Sequence, residues 1–431
     1  MANGTVRRIV TGFMMLAFAA GCTTTPEGVL LPAEIQEPTA TYVPILVATT
    51  REPSADPAIL YSGERSTSIY VNEVVVSVPP DRNRQVGKVQ WPKKLRPNPA
   101  YEFAALSIRA IPDASTATRW VKDNLGPNRR LLIFVHGFNN SYGEAVFALA
   151  QIAHDSGTDA TPVLFTWPSR GTIFAYPFDK ESASHSRTAL ETLIRAAIAD
   201  RGVGEVTILA HSMGTWLTVE ALRQFAIRDG GIPPKISNVI LASPDIDIDV
   251  FGQQIADMGP NRPQFTVFVS RDDKALLLSR RLAGNIDRLG AIDINDPRYA
   301  AALEAFDIRV FDLTALRGGD PTDHRKFADS PEVVQLLGQR LISGHISTGA
   351  ATSFGDHLGN STLGVTSAIG SVAGMVVAAP IAVFDPATRQ SLGGQAEQFQ
   401  RSLGGVSTGF SPGNSANIDR CLPDDRGCHI Q

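Results

Sequence analysis

Apolar and polar positions follow two different patterns along the chain, and the change comes near residue 115. Before it, three apolar runs typical of strands, at 43–48, 69–78 and 103–110, are separated by clusters of Pro, Gly and Asn. After it, short apolar runs alternate with stretches of helical spacing. Strand–helix alternation predicts a mostly parallel sheet flanked by crossover helices. We therefore expect one α/β domain over 41–345 with a β-rich front at 41–115.

The second pattern predicts specific strands and helices. The strands fall at 131–135, 163–167, 206–210, 236–242, 265–269 and 308–313, and the helices at 142–154, 189–199, 213–227, 299–306 and 331–341. The strand runs are mostly apolar and do not alternate strictly with polar residues. Strands of this kind are buried on both faces, which agrees with a parallel sheet covered by helices.

The first residues have the layout of an export signal. Arg7 and Arg8 precede an apolar run that is too short to span a bilayer and ends in small residues before Cys22. A cysteine in this position resembles the lipobox of bacterial lipoproteins, although Ala19 replaces the usual Leu. We expect a signal peptide at 1–22, lipidation of Cys22 and a linker at 23–40. The protein would then be anchored to the envelope on its periplasmic side, at the outer membrane. An ordinary cleaved signal with an incidental cysteine is the alternative.

The C-terminal part contains an apolar segment and a polar tail. Residues 346–390 are rich in Gly and Ala, and 361–384 carry no charge and reach the length of a membrane span, although Pro380 interrupts them. This segment is expected either to associate with the membrane or to pack on the domain. In the polar tail at 391–431, Cys421 and Cys428 predict a small-loop disulfide in an oxidising compartment.

The strongest chemical signal surrounds Ser212, which follows an apolar strand and precedes a helical segment. Ala210 and Gly214 stand two positions before and after it. A sharp strand-to-helix turn holds a serine in a strained conformation, and the crowding at that turn requires small neighbours. The N-terminus of the following helix favours negative charge at this point. Ser212 is therefore the predicted nucleophile, and a serine in an ordinary turn is the alternative.

A second loop fits the same chemistry. The strand at 131–135 leads into His136, Gly137 and Phe138. Acyl transfer creates an oxyanion, and two convergent backbone N–H groups stabilise it well in a dry site. We expect the donors of this oxyanion hole to be the N–H groups of Phe138 and Met213. His136 is expected to hold the loop.

The general base and its acid should follow the serine in the chain order Ser, acid, His. His324 lies in a Gly-rich loop after the last predicted strand, which suits a base, whereas His345 and His357 are expected at the surface. Asp273 lies just after the preceding strand and is the predicted acid that orients His324. Asp245, one strand earlier, is the alternative acid, and Asp272 is expected to be a helix N-cap or to be solvated.

These motifs resemble the α/β-hydrolase superfamily, specifically a bacterial branch of exported proteins without an assigned function. The resemblance covers about 41 to 342, including the β-rich front with Ala48-Thr-Thr-Arg51 and Val76-Ser-Val-Pro79. It implies an α/β-hydrolase fold and serine chemistry but no particular substrate. The residues that carry it are Phe134-Val-His-Gly-Phe-Asn139, Phe165-Thr-Trp-Pro-Ser169, His211-Ser-Met-Gly214, Ala242-Ser-Pro-Asp-Ile-Asp247, Ser270-Arg-Asp-Asp-Lys-Ala-Leu276, His324 and Asp329-Ser-Pro331.

We expect a lipase- or esterase-like serine hydrolase that cleaves carboxylic esters of small molecules or lipids through an acyl-enzyme. This chemistry needs no metal and no organic cofactor. A thioesterase, peptidase or acyltransferase would use the same residues, and the fold cannot choose among them. A non-catalytic lipoprotein that binds the envelope is the alternative of another class.

The composition of the chain limits the classes of molecule that it is expected to bind. Charged residues make up 19% of the chain, the formal net charge is −4, and no basic run is interleaved with aromatic residues. We therefore expect no nucleic-acid partner. The expected partners are an acyl substrate and, through the lipid anchor, a membrane, while the oligomeric state stays open.

Overall fold

The computed structural model describes residues 28–33, 37–94 and 96–338. The predicted export signal, the apolar segment and the polar tail therefore lie outside the described residues, as do His345 and His357. The same holds for Cys22, Cys421 and Cys428. Within the described ranges, no helix is both long enough and apolar enough to cross a membrane.

One sheet of nine strands runs through the described residues in the order β3-β2-β1-β5-β4-β6-β7-β8-β9. Strands β1 to β3 pair antiparallel, β1 pairs parallel with β5, and all pairs from β5 to β9 are parallel. The mostly parallel α/β class is confirmed, and the β-rich front extends this same sheet. The strands are β1 Thr41–Pro53, β2 Tyr61–Val78, β3 Ala104–Ala110, β4 Arg130–Val135, β5 Thr161–Thr166, β6 Glu205–His211, β7 Ile236–Ala242, β8 Gln264–Val269 and β9 Arg309–Asp312.

Helices connect the parallel strands. The described α-helices are α1 Ala114–Asn124, α2 Tyr142–Asp155, α3 Tyr176–His185, α4 Arg187–Ala199, α5 Met213–Asp229, α6 Ile248–Met258, α7 Lys274–Leu282, α8 Pro297–Ala305, α9 Lys326–Asp329 and α10 Pro331–Leu336. Helices α6 and α7 occupy stretches where the apolar spacing predicts no helix. Each begins at an aspartate whose side chain accepts hydrogen bonds from the first turn, Asp247 for α6 and Asp273 for α7.

The core lies on both faces of the parallel strands. Every residue of β5 is buried, as are residues 131–135 of β4 and 206–211 of β6. Helix α2 is buried along almost its whole length, and a capping box formed by Ser141 and Glu144 begins it. Because the central strands are parallel, their carboxyl ends meet at one edge of the sheet. In open α/β sheets this edge is where ligands bind.

Candidate active site

Ser212 forms the turn between β6 and α5, with φ +51° and ψ −124°. A non-glycine residue rarely adopts a positive φ, and such backbone persists only where its surroundings enforce it. The Ser212 N–H donates to the Ala242 carbonyl at 3.0 Å, and the Ser212 carbonyl accepts from the Thr215 N–H at 3.0 Å. Bonds to β7 and to the first turn of α5 therefore hold the strained turn in place.

Two glycines let the end of β4 approach this turn. A Cβ atom on Gly137 would lie 2.8 Å from the Ser212 Cβ, and one on Gly214 would overlap the His136 carbonyl oxygen. Real Cβ atoms do not make contacts this close. The loop after β4 therefore packs directly against the turn that carries Ser212.

His324 and Asp273 are joined by a hydrogen bond. The Nδ1 atom of His324 lies 2.7 Å from Oδ2 of Asp273, whose side chain is fully buried. The other carboxylate oxygen, Oδ1, accepts from the Leu276 N–H at 3.0 Å and so caps α7. Because a carboxylate only accepts, Nδ1 of His324 carries the proton and Nε2 is the nitrogen left to act as a base.

The charge of Asp273 also sets the protonation of His324. Burial works against the charged imidazolium, but the charge and hydrogen bond of Asp273 outweigh it and raise the pKa of His324 above its usual value. The loop that carries His324 is held by Asp320, which accepts from the N–H groups of His324 and Arg325 at 3.3 and 3.0 Å. This arrangement favours proton uptake at His324.

The loop of His324 packs against the residue before Ser212. The His211 and His324 rings lie 4.7 Å apart between centroids, and His211 Nε2 donates to the His324 carbonyl at 3.3 Å. Burial, followed by the nearby charges of His324 and Arg325, holds the pKa of His211 well below its usual range. Among the described residues, the Ser212 hydroxyl has no hydrogen-bond partner, so it is not bonded to His324 in this arrangement.

The backbone N–H groups of Phe138 and Met213 are both free within the described part of the chain. The carbonyl oxygens of Gly137 and Phe138, by contrast, are held: His136 Nδ1 bonds the first at 2.8 Å, and Asn140 Nδ2 donates to the second at 2.8 Å. Met213 follows Ser212 directly, and Gly137, the neighbour of Phe138, packs against the Ser212 Cβ, so both residues lie close to the strained turn.

Asp245, the alternative acid, has other partners. Its carboxylate accepts from the Tyr176 hydroxyl at 2.9 Å and from Ser279 Oγ at 2.6 Å, and Arg288 Nε lies 3.4 Å away. The sequence patterns single out neither Ser279 nor Arg288. Tyr176 belongs to the segment 168–186, which the sequence allows either to cap the site or to pack as a loop. Its ring also meets Phe138 edge-on at 5.3 Å.

Lys326 connects the two loops that carry Asp273 and His324. Its side chain is buried, and its Nζ atom lies 2.7 and 2.8 Å from the two oxygens of Asp272 and 3.3 Å from the Leu313 carbonyl. No local sequence pattern predicts this contact, because it depends on two loops that are far apart in the chain. Within the described ranges, no group of three or more His, Cys, Asp or Glu side chains could hold a metal ion.

Comparison with known proteins finds one family. The model for "Alpha/beta hydrolase of unknown function (DUF900)" matches residues 113–340. No curated protein matches the chain.

Similar solved structures include a candidate cell surface hydrolase from Lactobacillus plantarum WCFS1. It is 11% identical, with 53% of this chain and 98% of that chain covered and a TM-score of 0.34. Another is an esterase from Pyrobaculum calidifontis, 14% identical, with 55% of this chain and 95% of that chain covered and a TM-score of 0.31. Similarities this distant say nothing about the substrate of this protein.

Proposed function

The chain belongs to the DUF900 family of α/β hydrolases of unknown function, and we propose that this hydrolase cleaves carboxylic esters with Ser212 as its nucleophile. The observation that carries the proposal is the 2.7 Å hydrogen bond between His324 Nδ1 and Asp273 Oδ2. A histidine held by a buried carboxylate is suited to act as a base. A second observation supports the assignment of His324: its ring packs against His211, the residue directly before the strained Ser212.

In the proposed reaction, His324 Nε2 takes the proton of the Ser212 hydroxyl as the oxygen attacks the ester carbonyl. Asp273 stabilises the imidazolium that forms. The carbonyl oxygen becomes an oxyanion and accepts hydrogen bonds from the N–H groups of Phe138 and Met213. His324 then returns the proton to the leaving alkoxide. In the second half, His324 activates a water molecule that attacks the acyl-enzyme and releases the acid and the free serine.

The nucleophile is tested with a fluorophosphonate probe, which labels activated serines. We expect the full chain to be labelled and Ser212→Ala to lose all labelling. Ser243→Ala is a matched control, because Ser243 is also buried, also has a positive φ of 46°, and follows the neighbouring strand β7. It should label normally. If the folded wild-type protein is not labelled, the proposal is wrong and a non-catalytic binding protein is favoured.

The ester substrate is tested separately. We expect p-nitrophenyl esters to be cleaved with a preference for one range of chain lengths, since a defined pocket selects by size. Acyl thioesters and p-nitroanilides of the same acyl groups serve as comparisons, because the same residues could cleave them. If the thioester or the anilide is cleaved faster than the ester, ester hydrolysis is the wrong assignment and that hydrolysis takes its place. Acyl transfer to an added alcohol in preference to water would indicate an acyltransferase.

We also propose that the protein is exported and anchored to the envelope through lipidated Cys22. The support is the sequence alone: Arg7 and Arg8, the apolar run and the small residues before the cysteine. Cys22→Ser should abolish incorporation of labelled palmitate and release the protein from membranes. Cys421→Ser, which removes one half of the proposed disulfide with Cys428, should leave both unchanged. Retention of Cys22→Ser on membranes would instead favour membrane association of residues 346–390.

A further inference from the structure

We propose that Arg51, in the β-rich front, positions the loop at residues 136–139 after β4, called here the oxyanion loop, through an ordered relay of hydrogen bonds. Its guanidinium connects through Thr166 and His136 to the peptide between Gly137 and Phe138. Arg51 would touch neither the substrate nor the reacting atoms. The inference rests on the proposed serine hydrolase function, because it explains how one of the two oxyanion donors is aimed.

Arg51 lies where the pairing of β1 with β2 is irregular, with a register shift on each side of it. Its side chain is fully buried, and every part of the guanidinium donates a hydrogen bond. Nε donates to Thr166 Oγ1 at 2.9 Å. One terminal nitrogen donates to the carbonyls of Ser169 at 2.9 Å and Ser62 at 3.2 Å. The other donates to the Asn140 carbonyl at 2.7 Å and lies 3.5 Å from His136 Nε2. A buried charge is tolerated only when its donors are satisfied in this way.

Burial is also the main influence on the charge of Arg51. It lowers the pKa of Arg51 to about 10, so the guanidinium stays charged at neutral pH. Thr166 ends β5 and Asn140 follows the oxyanion loop, so this one cation connects β1, the end of β5 and the loop after β4. The parallel pairing of β1 with β5 brings these parts together, since Thr49 lies opposite Thr166.

The direction of each bond in the relay follows from chemistry. A guanidinium has donors and no acceptor, so Thr166 Oγ1 must accept from Arg51. Thr166 Oγ1 lies 2.9 Å from His136 Nε2, and because a hydroxyl oxygen can accept twice, a further donor has to decide the direction of this bond. The Trp167 N–H donates to the same nitrogen at 3.1 Å. Nε2 of His136 therefore carries no proton. Nδ1 carries it and donates to the Gly137 carbonyl at 2.8 Å.

This last bond, together with one from Asn140 Nδ2 at 3.3 Å, holds the Gly137 carbonyl and so sets the orientation of an oxyanion donor. The Gly137 carbonyl and the Phe138 N–H belong to one planar trans peptide, so they point in opposite directions. Holding the carbonyl against His136 turns the free N–H away from His136. With the other tautomer, an unprotonated Nδ1 would face the Gly137 oxygen and repel it. Burial, followed by the charge of Arg51, lowers the pKa of His136 to about 3, so its neutral form persists across the working pH range.

The test compares Arg51→Met with Thr166→Val in the full chain, using p-nitrophenyl butyrate as the probe substrate. Loss of one oxyanion donor costs about 10²–10³ in kcat, so misdirecting one should lower kcat by about 10- to 100-fold while KM stays nearly constant. Thr166→Val keeps Arg51 and removes the hydroxyl between Arg51 and His136, while the Trp167 N–H and Arg51 still lie 3.1 and 3.5 Å from His136 Nε2, so kcat should fall in the same direction but by less. The two changes together should cost less than the product of the two separate losses, because both act on one peptide.

Arg84→Met is the matched control. Arg84 is also a buried arginine of the front, but it pairs with Asp155, away from the oxyanion loop. Its variant should lose stability without the selective fall in kcat. An equal loss of kcat in Arg84→Met would mean that Arg51 supports only the stability of the front. The inference is overturned if Thr166→Val leaves kcat unchanged or changes only KM. If Arg51→Met does not fold, the result for Thr166→Val decides alone.

A second readout is the tautomer of His136, measured by ¹⁵N chemical shifts in protein labelled at histidine and assigned with His136→Gln. We expect the proton on Nδ1 in the wild-type protein, and a proton on Nε2 there would overturn the inference. The proposed function is judged apart from both measurements. It fails if the wild-type protein does not react with the fluorophosphonate probe, whereas the inference fails if wild-type reacts and the Thr166→Val variant turns over at the wild-type rate.

Discussion

The Nδ1 atom of His324 lies 2.7 Å from Oδ2 of Asp273, although 51 positions separate the two residues in the chain. The same carboxylate caps helix α7 through its second oxygen. One side chain therefore fixes the start of a helix and the orientation of an imidazole. Because the bond to the helix cap fixes the carboxylate, the carboxylate in turn fixes the orientation of the His324 ring. A general base requires such a fixed orientation.

Replacing Asp273 with Asn should reduce kcat for p-nitrophenyl butyrate by about 10³- to 10⁴-fold with a much smaller effect on KM, because the imidazolium loses its counter-charge and the tautomer is no longer enforced. Asp245→Asn is the matched control. Asp245 follows the neighbouring strand β7 and bonds Tyr176 and Ser279. We expect it to lose less than about tenfold, as for loss of one hydrogen bond. If the larger loss occurs in Asp245→Asn, the assignment of the acid is wrong.

The rate should increase with pH through the pKa of His324. In the proposed reaction the neutral imidazole accepts the serine proton, and Asp273 raises the pKa of His324 against the effect of burial. The acid limb of kcat/KM should therefore have its midpoint above the ordinary histidine pKa of about 6.5. Asp245 also raises this pKa through its charge, so Asp245→Asn should move the limb to lower pH. A midpoint below 6 in the wild-type protein would contradict this electrostatic account.

The general location of the candidate site could be predicted from the sequence because it follows from topology. Ser212, Asp273 and His324 each come after a run that the spacing predicts as a strand. Parallel strands place their carboxyl ends at one edge of the sheet, so residues that follow different strands converge there without any knowledge of the tertiary contacts.

The supporting contacts could not be predicted in this way. Arg51 reaches the oxyanion loop because β1 pairs with β5 and changes register beside it, and no local pattern of residues encodes either event. Lys326 similarly binds Asp272 across two loops. The local sequence also does not decide between two adjacent aspartates as a helix cap: the expected cap is Asp272, but Asp273 begins helix α7.

Gly214→Ala should strongly destabilise the protein. The added Cβ would overlap the His136 carbonyl oxygen, which is backbone and cannot rotate away. We expect a loss of about 2–4 kcal/mol in the free energy of unfolding, measured by urea denaturation. Gly230→Ala is the control: it has a positive φ of 75° but no atom within 4 Å of the added Cβ. It should cost about 1 to 2 kcal/mol, from backbone conformation alone. An equal loss in both variants would mean that the close approach of β4 to the nucleophile turn has no energetic consequence.

Asp329→Asn should stabilise the protein at alkaline pH and much less at acidic pH. Burial raises the pKa of Asp329 to about 6, although Arg325 lies 3.6 Å away and opposes the shift. An acid whose pKa is higher in the folded state stabilises the fold most below its unfolded pKa of about 3.9, and this contribution is lost as the pH rises through 6. Above that pH the wild-type protein buries a carboxylate at a cost of at most about 3 kcal/mol.

The asparagine variant imitates the protonated acid at every pH. Its advantage in the free energy of unfolding should approach the full cost at pH 8 and shrink as the pH falls towards 4, measured by urea denaturation at a series of pH values. Asp123→Asn is the control, because Asp123 is exposed on α1 and its replacement should change stability by less than about 0.5 kcal/mol at either pH. A benefit of Asp329→Asn that does not depend on pH would show that its origin is packing, since only titration of the carboxylate makes the gain follow the proton concentration.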